Sequence, residues 1–172
     1  EKLDGKHLLV GKHNGVATAI NRKGLECGMP GVLRLAAASL ADDGFIIDGE
    51  AVGDRLYCFD LLVVDGVDRR NLPYMERLKR LSKLIGERDR FFTFVQPAFT
   101  KEQKKLLHAC LKRDNAEGIV FKDKTAPYSA GRPASGGPAL KYKFVSTCSC
   151  LVIKRNKDKR SVEIGVMNNA AA

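Results

Sequence analysis

Residues 45–64, FIIDGEAVGDRLYCFDLLVV, constrain the fold more than any other stretch. Two runs rich in β-branched and aromatic residues flank Gly53-Asp54, and both are dense enough in apolar side chains to need burial on at least one face. That pattern predicts a hairpin, with strands over 45–52 and 55–64. A second hairpin is predicted over 7–21, where Asn14-Gly15 is the dipeptide that a two-residue turn favours. Hairpins outnumber strand–helix–strand units, so the expected class is α+β, with antiparallel β-sheets flanked by helices.

Helices are expected in three places. Residues 32–41 (VLRLAAASLA) read as a short one, and Met75, Leu78, Leu81, Leu84 and Ile85 recur at helical spacing in a second. Thr100 opens a third, with Gln103 placed for a capping box and Leu106, Leu107, Cys110 and Leu111 as its apolar stripe. The intervening FFTFVQP reads as a strand. Two further strands, EGIVFKD and ALKYKF, enclose a loop, KTAPYSAGRPASGGP, whose Gly, Pro and Ser content excludes regular structure.

Near residue 148 the character changes. CLVIKRNKDKRSVEIGVM reads as strand, charged turn, strand, and two strands do not make a stable domain by themselves. Residues 1–147 are therefore expected to form one domain and 148–172 the start of a second, small β-domain.

The charge balance is basic: 30 Lys+Arg against 20 Asp+Glu give +10. Such an excess suits a polyanionic partner, with nucleic acid ahead of a membrane surface. No apolar run approaches the ~20 residues that span a bilayer, and no signal-peptide pattern opens the chain, so a cytoplasmic protein is expected. The five cysteines are odd in number, and Cys148 and Cys150 have no second pair nearby to complete a zinc site.

Polar residues interrupt the apolar strands in a suggestive way. Asp48 and Glu50 lie two apart in one strand, and Lys141 and Lys143 two apart in another, so each pair shares a face. Glu117 heads a strand that carries Lys122, and Phe59-Asp60 sits inside an apolar run. Singly, each reads as a solvated sheet face. Together they supply what a magnesium–nucleotide pocket needs: oxygen ligands for the metal, cations for phosphates and a flat apolar surface for a base.

KLDG, DGE, YCFD, EGIVFK and LKYK occur in this order and with sensible separations. In that order they resemble the motifs of the covalent nucleotidyltransferase superfamily of DNA ligases, RNA ligases and mRNA capping enzymes. Residues 1–147 are most similar to the adenylation domain of small ATP-dependent DNA ligases of bacterial or phage type, and 148–172 resemble the start of the ligase OB domain. The resemblance implies the ATP-grasp-like fold of that domain, ATP as co-substrate with AMP as a covalent adduct, Mg²⁺ or Mn²⁺, and nicked double-stranded DNA as partner of a monomer.

Residue by residue, the resemblance makes Lys2 the nucleophile that forms lysyl-AMP, with Asp4 orienting it and Gly5 letting the backbone turn tightly. Lys141 and Lys143 approach the α-phosphate, and their charge is expected to help free the Lys2 amine, which titrates near ~10.4 when unperturbed. Phe59 stacks on adenine and Glu50 contacts the ribose. Asp48 and Glu117 organise the metal, and Glu117 also touches the nucleotide. Glu1 adjoins the nucleotide beside Lys2, while Arg132 and Lys122 are weaker candidates for DNA phosphate. His7 stands where the family usually carries arginine, and lacks that side chain's fork and permanent charge. The strand expected before Lys2 and the C-terminal motif that orients pyrophosphate have no counterpart in the chain. The alternatives are an RNA ligase, a GTP-dependent capping-type enzyme, or a non-catalytic nucleic-acid-binding domain.

Overall fold

In the computed structural model, the residues described are 1–40, 44–86, 90–130, 137–144 and 149–166. Both predicted hairpins form. Strand β1 (Lys6–His13) pairs antiparallel with β2 (Val16–Asn21), and β3 (Phe45–Val52) with β4 (Arg55–Val64). Asn14 and Gly15 both take positive φ, as a tight two-residue turn demands. β1 also pairs with β3, and two short strands, β5 (Val67–Asp68) and β6 (Phe92–Phe94), add to β4. The result is a six-stranded sheet in the order β2-β1-β3-β4-β5, with β6 on β4. The predicted strand over FFTFVQP is thus shorter than expected and parallel to β4, because a helix, not a turn, leads into it.

Strand alternation divides this sheet into two faces. Leu8, Val10, Ile47, Leu56, Cys58 and Leu61 are buried on the core face, under α1 (Gly31–Ser39) and α2 (Tyr74–Ile85). α1 supplies Leu33 and Ala37, and α2 supplies Leu78, Leu81 and Ile85. Lys12 is a buried cation on that face, and its ammonium donates to the Ala38 and Leu40 carbonyls at 3.1 and 2.5 Å. Those are the carbonyls that the end of α1 leaves without helical partners. The opposite face carries His7, Asp48 and Glu50, in the cross-strand pairs His7–Glu50 and Leu9–Asp48.

A second, two-stranded sheet pairs β7 (Gly118–Lys122) with β8 (Ala139–Lys143). The capping box of α3 (Lys101–Arg113) forms as predicted: Gln103 N–H donates to Thr100 Oγ1 at 3.2 Å and Thr100 N–H to Gln103 Oε1 at 3.1 Å. Its stripe is narrower than predicted. Leu111 is buried and Leu107 and Cys110 half-buried, but Leu106 is 67% exposed. Leu106 lies five residues from Leu111, about 140° around the helix, and cannot share its contact. His108 packs on Tyr142 and Phe144, with ring centroids 6.3 and 5.3 Å away.

β9 (Leu151–Arg155) and β10 (Val162–Gly165) form the expected C-terminal hairpin, exposed over nearly its whole length. The 147/148 boundary and Cys148 fall outside the described residues. Among the described residues, no helix is long and apolar enough to cross a membrane.

Candidate active site

The N-terminal segment ties the two sheets together. Lys2 N–H donates to the Gly118 carbonyl at 2.8 Å, forming an isolated bridge to β7, and four residues later Lys6 enters β1 on the large sheet. Two glycines allow this closeness. A Cβ on Gly5 would collide with the Ala51 carbonyl oxygen and lie 2.8 Å from Val52 Cγ2. A Cβ on Gly118 would collide with the Tyr142 carbonyl and lie 2.8 Å from Lys143 Cα. The backbone bends at Gly5 as expected, and close approach to β3 is a second reason for glycine there.

At this seam Lys2 Nζ donates to Glu117 Oε2, and Lys143 Nζ lies 2.8 Å from Glu117 Oε1. Both oxygens of one carboxylate are thus occupied by ammonium groups, one mostly buried and one open to solvent. Hydrogen bonds from Lys143 and then Lys2 hold the Glu117 carboxyl below its ordinary range, and Glu117 in turn raises Lys143. Lys141 and Lys143 were expected to lie near enough to Lys2 for their charge to help free its amine. The structure places the Glu117 carboxylate between Lys2 and Lys143, which offsets the repulsion of Lys143 on the amine. Lys141 alternates onto the Lys143 face and is exposed. Asp4 is exposed, and its electrostatic neighbour is Lys143; it makes no hydrogen bond to Lys2. Glu1 is exposed beside them.

A second cluster lies on the large sheet. Asp48 is buried, with Oδ1 2.7 Å from His7 Nε2 and Oδ2 accepting from Tyr128 Oη at 3.2 Å. His7 Nδ1 is buried without a hydrogen-bond partner among the described residues. Glu50 stands opposite His7, and burial pushes its carboxyl above the ordinary 4.5, against the pull of His7, Arg22 and Lys2. Asp48 and Glu117, expected to organise a metal together, belong to different hydrogen-bond networks. Among the described residues no group of three His, Cys, Asp or Glu side chains could hold a metal ion. Asp48 and Glu117 accept from N–H and O–H donors, and an Mg²⁺ held by substrate phosphates needs only one or two carboxylates from the protein.

The third cluster is made by a β-bulge. Pairing of β3 with β4 jumps from Asp48–Asp60 to Gly49–Cys58, which leaves Phe59 as the extra residue. Phe59 and Asp60, adjacent in sequence, consequently both meet Lys122, whose ammonium is 4.7 Å from the Phe59 centroid and 3.4 Å from Asp60 Oδ2. It also lies 4.5 Å from the Tyr74 centroid. Lys122 is therefore turned toward these rings and Asp60, with its side chain 24% exposed. Asp60 is 2% exposed and pairs bidentately with Arg77 of α2, at 2.7 and 3.0 Å. His7 lies nearly parallel to Phe59, with centroids 6.4 Å apart. Arg132, the other candidate for DNA phosphate, lies outside the described residues.

Sequence reasoning missed Arg77, Tyr74 and Tyr128. Arg77, Leu81 and Ile85 recur at spacing four along the buried stripe of α2, so an arginine stands where periodicity reserves an apolar residue. An aspartate in an apolar strand and an arginine on an apolar stripe were the available signal, because buried charges come in pairs. Tyr128 had only its place as an aromatic within a Gly/Pro-rich loop.

Residues 54–143, just over half of the chain, match the family described as ATP dependent DNA ligase domain. A DNA ligase of Methanopyrus kandleri is 35% identical over 117 residues, covering 64% of this chain and 20% of that protein. A probable DNA ligase of Streptomyces coelicolor is 32% identical over 188 positions, covering 89% of this chain and 36% of that protein. The chain thus spans about a third or less of these relatives. Two solved structures share its fold. The mycobacterial DNA ligase D complexed with ATP and MES gives a TM-score of 0.69 at 23% identity, over 88% of this chain and 55% of that one. The ligase domain of M. tuberculosis LigD gives 0.68 at 21% identity, over 94% and 58%. On the extent of the family match, the chain belongs to the ATP-dependent DNA ligase domain family.

Proposed function

We propose that the chain is the nucleotidyl-transfer segment of an ATP-dependent DNA ligase, with Lys2 as its nucleophile. The supporting observation is the single Glu117 carboxylate that holds both Lys2 and Lys143 at the seam of the two sheets. The Lys2 ammonium first gives up a proton; the neutral amine then attacks the α-phosphorus of ATP, an N–P bond forms as the bond to pyrophosphate breaks, and the nitrogen loses a second proton to become the phosphoramidate. Glu117 touches Lys2 and is the group placed to receive the first proton. While Lys143 remains bound, Glu117 is a weak base. Entry of the phosphates draws Lys143 away, restores the basicity of Glu117, and brings Lys143 and Lys141 onto the charge that develops at phosphorus.

Phe59 offers adenine a flat apolar face, and Glu50 accepts from the ribose hydroxyls. His7, fixed on Asp48, occupies the place where a family member carries arginine. A divalent ion carried in on the ATP phosphates would take oxygen ligands from Glu117 or Asp48, directly or through water, and would neutralise phosphate charge. AMP then passes from Lys2 to the 5′-phosphate of a DNA nick, and the 3′-OH displaces it to seal the strand. The +10 net charge supports binding to the phosphates of the duplex. The β9–β10 hairpin fits the opening of an OB-type domain.

The test is to incubate the full-length protein with α-labelled ATP, GTP or NAD⁺ and divalent metal, then to chase with nicked DNA or nicked RNA. Label from ATP that vanishes in Lys2→Ala and chases onto nicked DNA supports the proposal. Label from GTP alone moves the chain to a capping-type enzyme, chase onto RNA alone to an RNA ligase, and no label at all to a binding domain.

A further inference from the structure

Tyr128 enters the site from the loop that follows β7, a segment that none of the chemistry above uses. The described part of that loop is pinned at several points. Asp123 N–H donates to the Pro138 carbonyl at 2.8 Å, and Thr125 N–H and Oγ1 donate to Asp123 Oδ1 at 2.8 and 2.7 Å. The N-cap of α2, Pro73, offers no side-chain cap; the carbonyls of Lys124 and Ala126 instead accept Met75 N–H and Tyr74 N–H, each at 3.0 Å. Tyr128 N–H reaches the Arg70 carbonyl at 2.8 Å. The backbone is therefore anchored without help from the Tyr128 hydroxyl. That hydroxyl donates to Asp48 Oδ2. Burial, reinforced by Asp48, pushes the phenol above its ordinary value, so it stays a donor.

The other oxygen of Asp48 holds His7 Nε2, and the imidazole lies along the Phe59 ring. The chain Tyr128–Asp48–His7 thus runs from the anchored loop to the surface assigned to the nucleoside. We propose that Tyr128 is a positioning residue for nucleotide binding: its hydroxyl fixes the Asp48 carboxylate, which orients the His7 ring beside Phe59. A permanently charged, forked guanidinium would need less such support than an imidazole that makes one directional bond. The inference rests on the proposed nucleotidyl transfer, and its test separates the two.

Nucleotide labelling by the full-length protein is measured against ATP concentration for wild type, Tyr128→Phe, His7→Ala and the double variant. Tyr128→Phe is expected to raise the KM for ATP about tenfold, the scale of a hydrogen bond to a charged group, and to leave the maximal rate within about twofold. In the His7→Ala background the same change should alter KM by less than about twofold, because the relay is already cut. An unchanged KM in Tyr128→Phe, or an equal factor in both backgrounds, overturns the inference while leaving nucleotidyl transfer intact. A Tm loss above about 5 °C in Tyr128→Phe would assign the hydroxyl to stability instead and overturns it too. Absence of label on the wild type overturns the underlying reading, and this inference with it.

Discussion

Phe59 and Asp60 are sequence neighbours that meet the same ammonium, Lys122, one with its ring and the other with its carboxylate. A regular strand would point them to opposite faces, and the bulge at Phe59 removes that alternation. The ring proposed to carry the base is thereby backed by a charge network that reaches through Asp60 to Arg77 on α2.

That network is expected to be costly to break from one side. Arg77→Ala leaves the Asp60 carboxylate buried without its bidentate partner, and should destabilise the fold by about 3–5 kcal/mol in chemical denaturation. Replacing both residues together with apolar ones of similar volume should recover much of that loss. A single-variant cost below about 1 kcal/mol would contradict this account of the pair.

Lys122 lies over two rings and beside Asp60, so it should contribute nothing to the phosphate count of a bound duplex. The slope of log affinity against log salt for nicked DNA should be the same in Lys122→Met as in wild type. A slope shallower by about 0.9 would mean that Lys122 neutralises a phosphate.

Gly5→Ala should destabilise by about 1–3 kcal/mol, the scale of overpacking, since its new methyl meets the backbone of β3. Gly28→Ala, where a Cβ meets nothing within 4 Å, should be nearly silent. Equal Tm values for the two variants would contradict the close approach at Gly5.

The architecture was legible where local chemistry decides it. Asn14-Gly15 and Gly53-Asp54 mark hairpins that form with the predicted strands, and Thr100 with Gln103 marks a helix start that forms atom for atom. What stayed hidden depends on contacts made by distant segments. The bulge that turns Phe59 and Asp60 together is a register shift against β3, and no feature of YCFD encodes it. The inward turn of Lys122 requires Tyr74 and Asp60 beneath it. The shared hold of Glu117 on Lys2 and Lys143 exists only because the N-terminal segment crosses to β7. Strand spacing paired Lys141 with Lys143 and the motif resemblance pointed to Lys2, but neither could say that a carboxylate separates Lys2 from Lys143.

Glu50 gives a pH-dependent expectation. Burial raises its folded-state pKa above the ordinary 4.5, so the folded chain binds this proton more tightly than the unfolded one. Its contribution to stability is therefore largest in acid and declines as pH rises from about 4.5 through the folded value. Glu50→Gln should match the wild-type Tm below that range and exceed it at neutral pH, while labelling by ATP falls. A Tm difference that is constant with pH would rule out ionisation of Glu50 as its source.

The central claim is a bond between the Lys2 nitrogen and the α-phosphorus of ATP. Its most direct test is peptide mapping by mass spectrometry after incubation with ATP and divalent metal, with Glu117→Gln alongside. The account predicts one AMP adduct on the peptide that contains Lys2, stable to alkali and lost in acid, and much slower to appear in Glu117→Gln. An adduct on any other residue, or none on wild-type protein under conditions where it binds ATP, would contradict it.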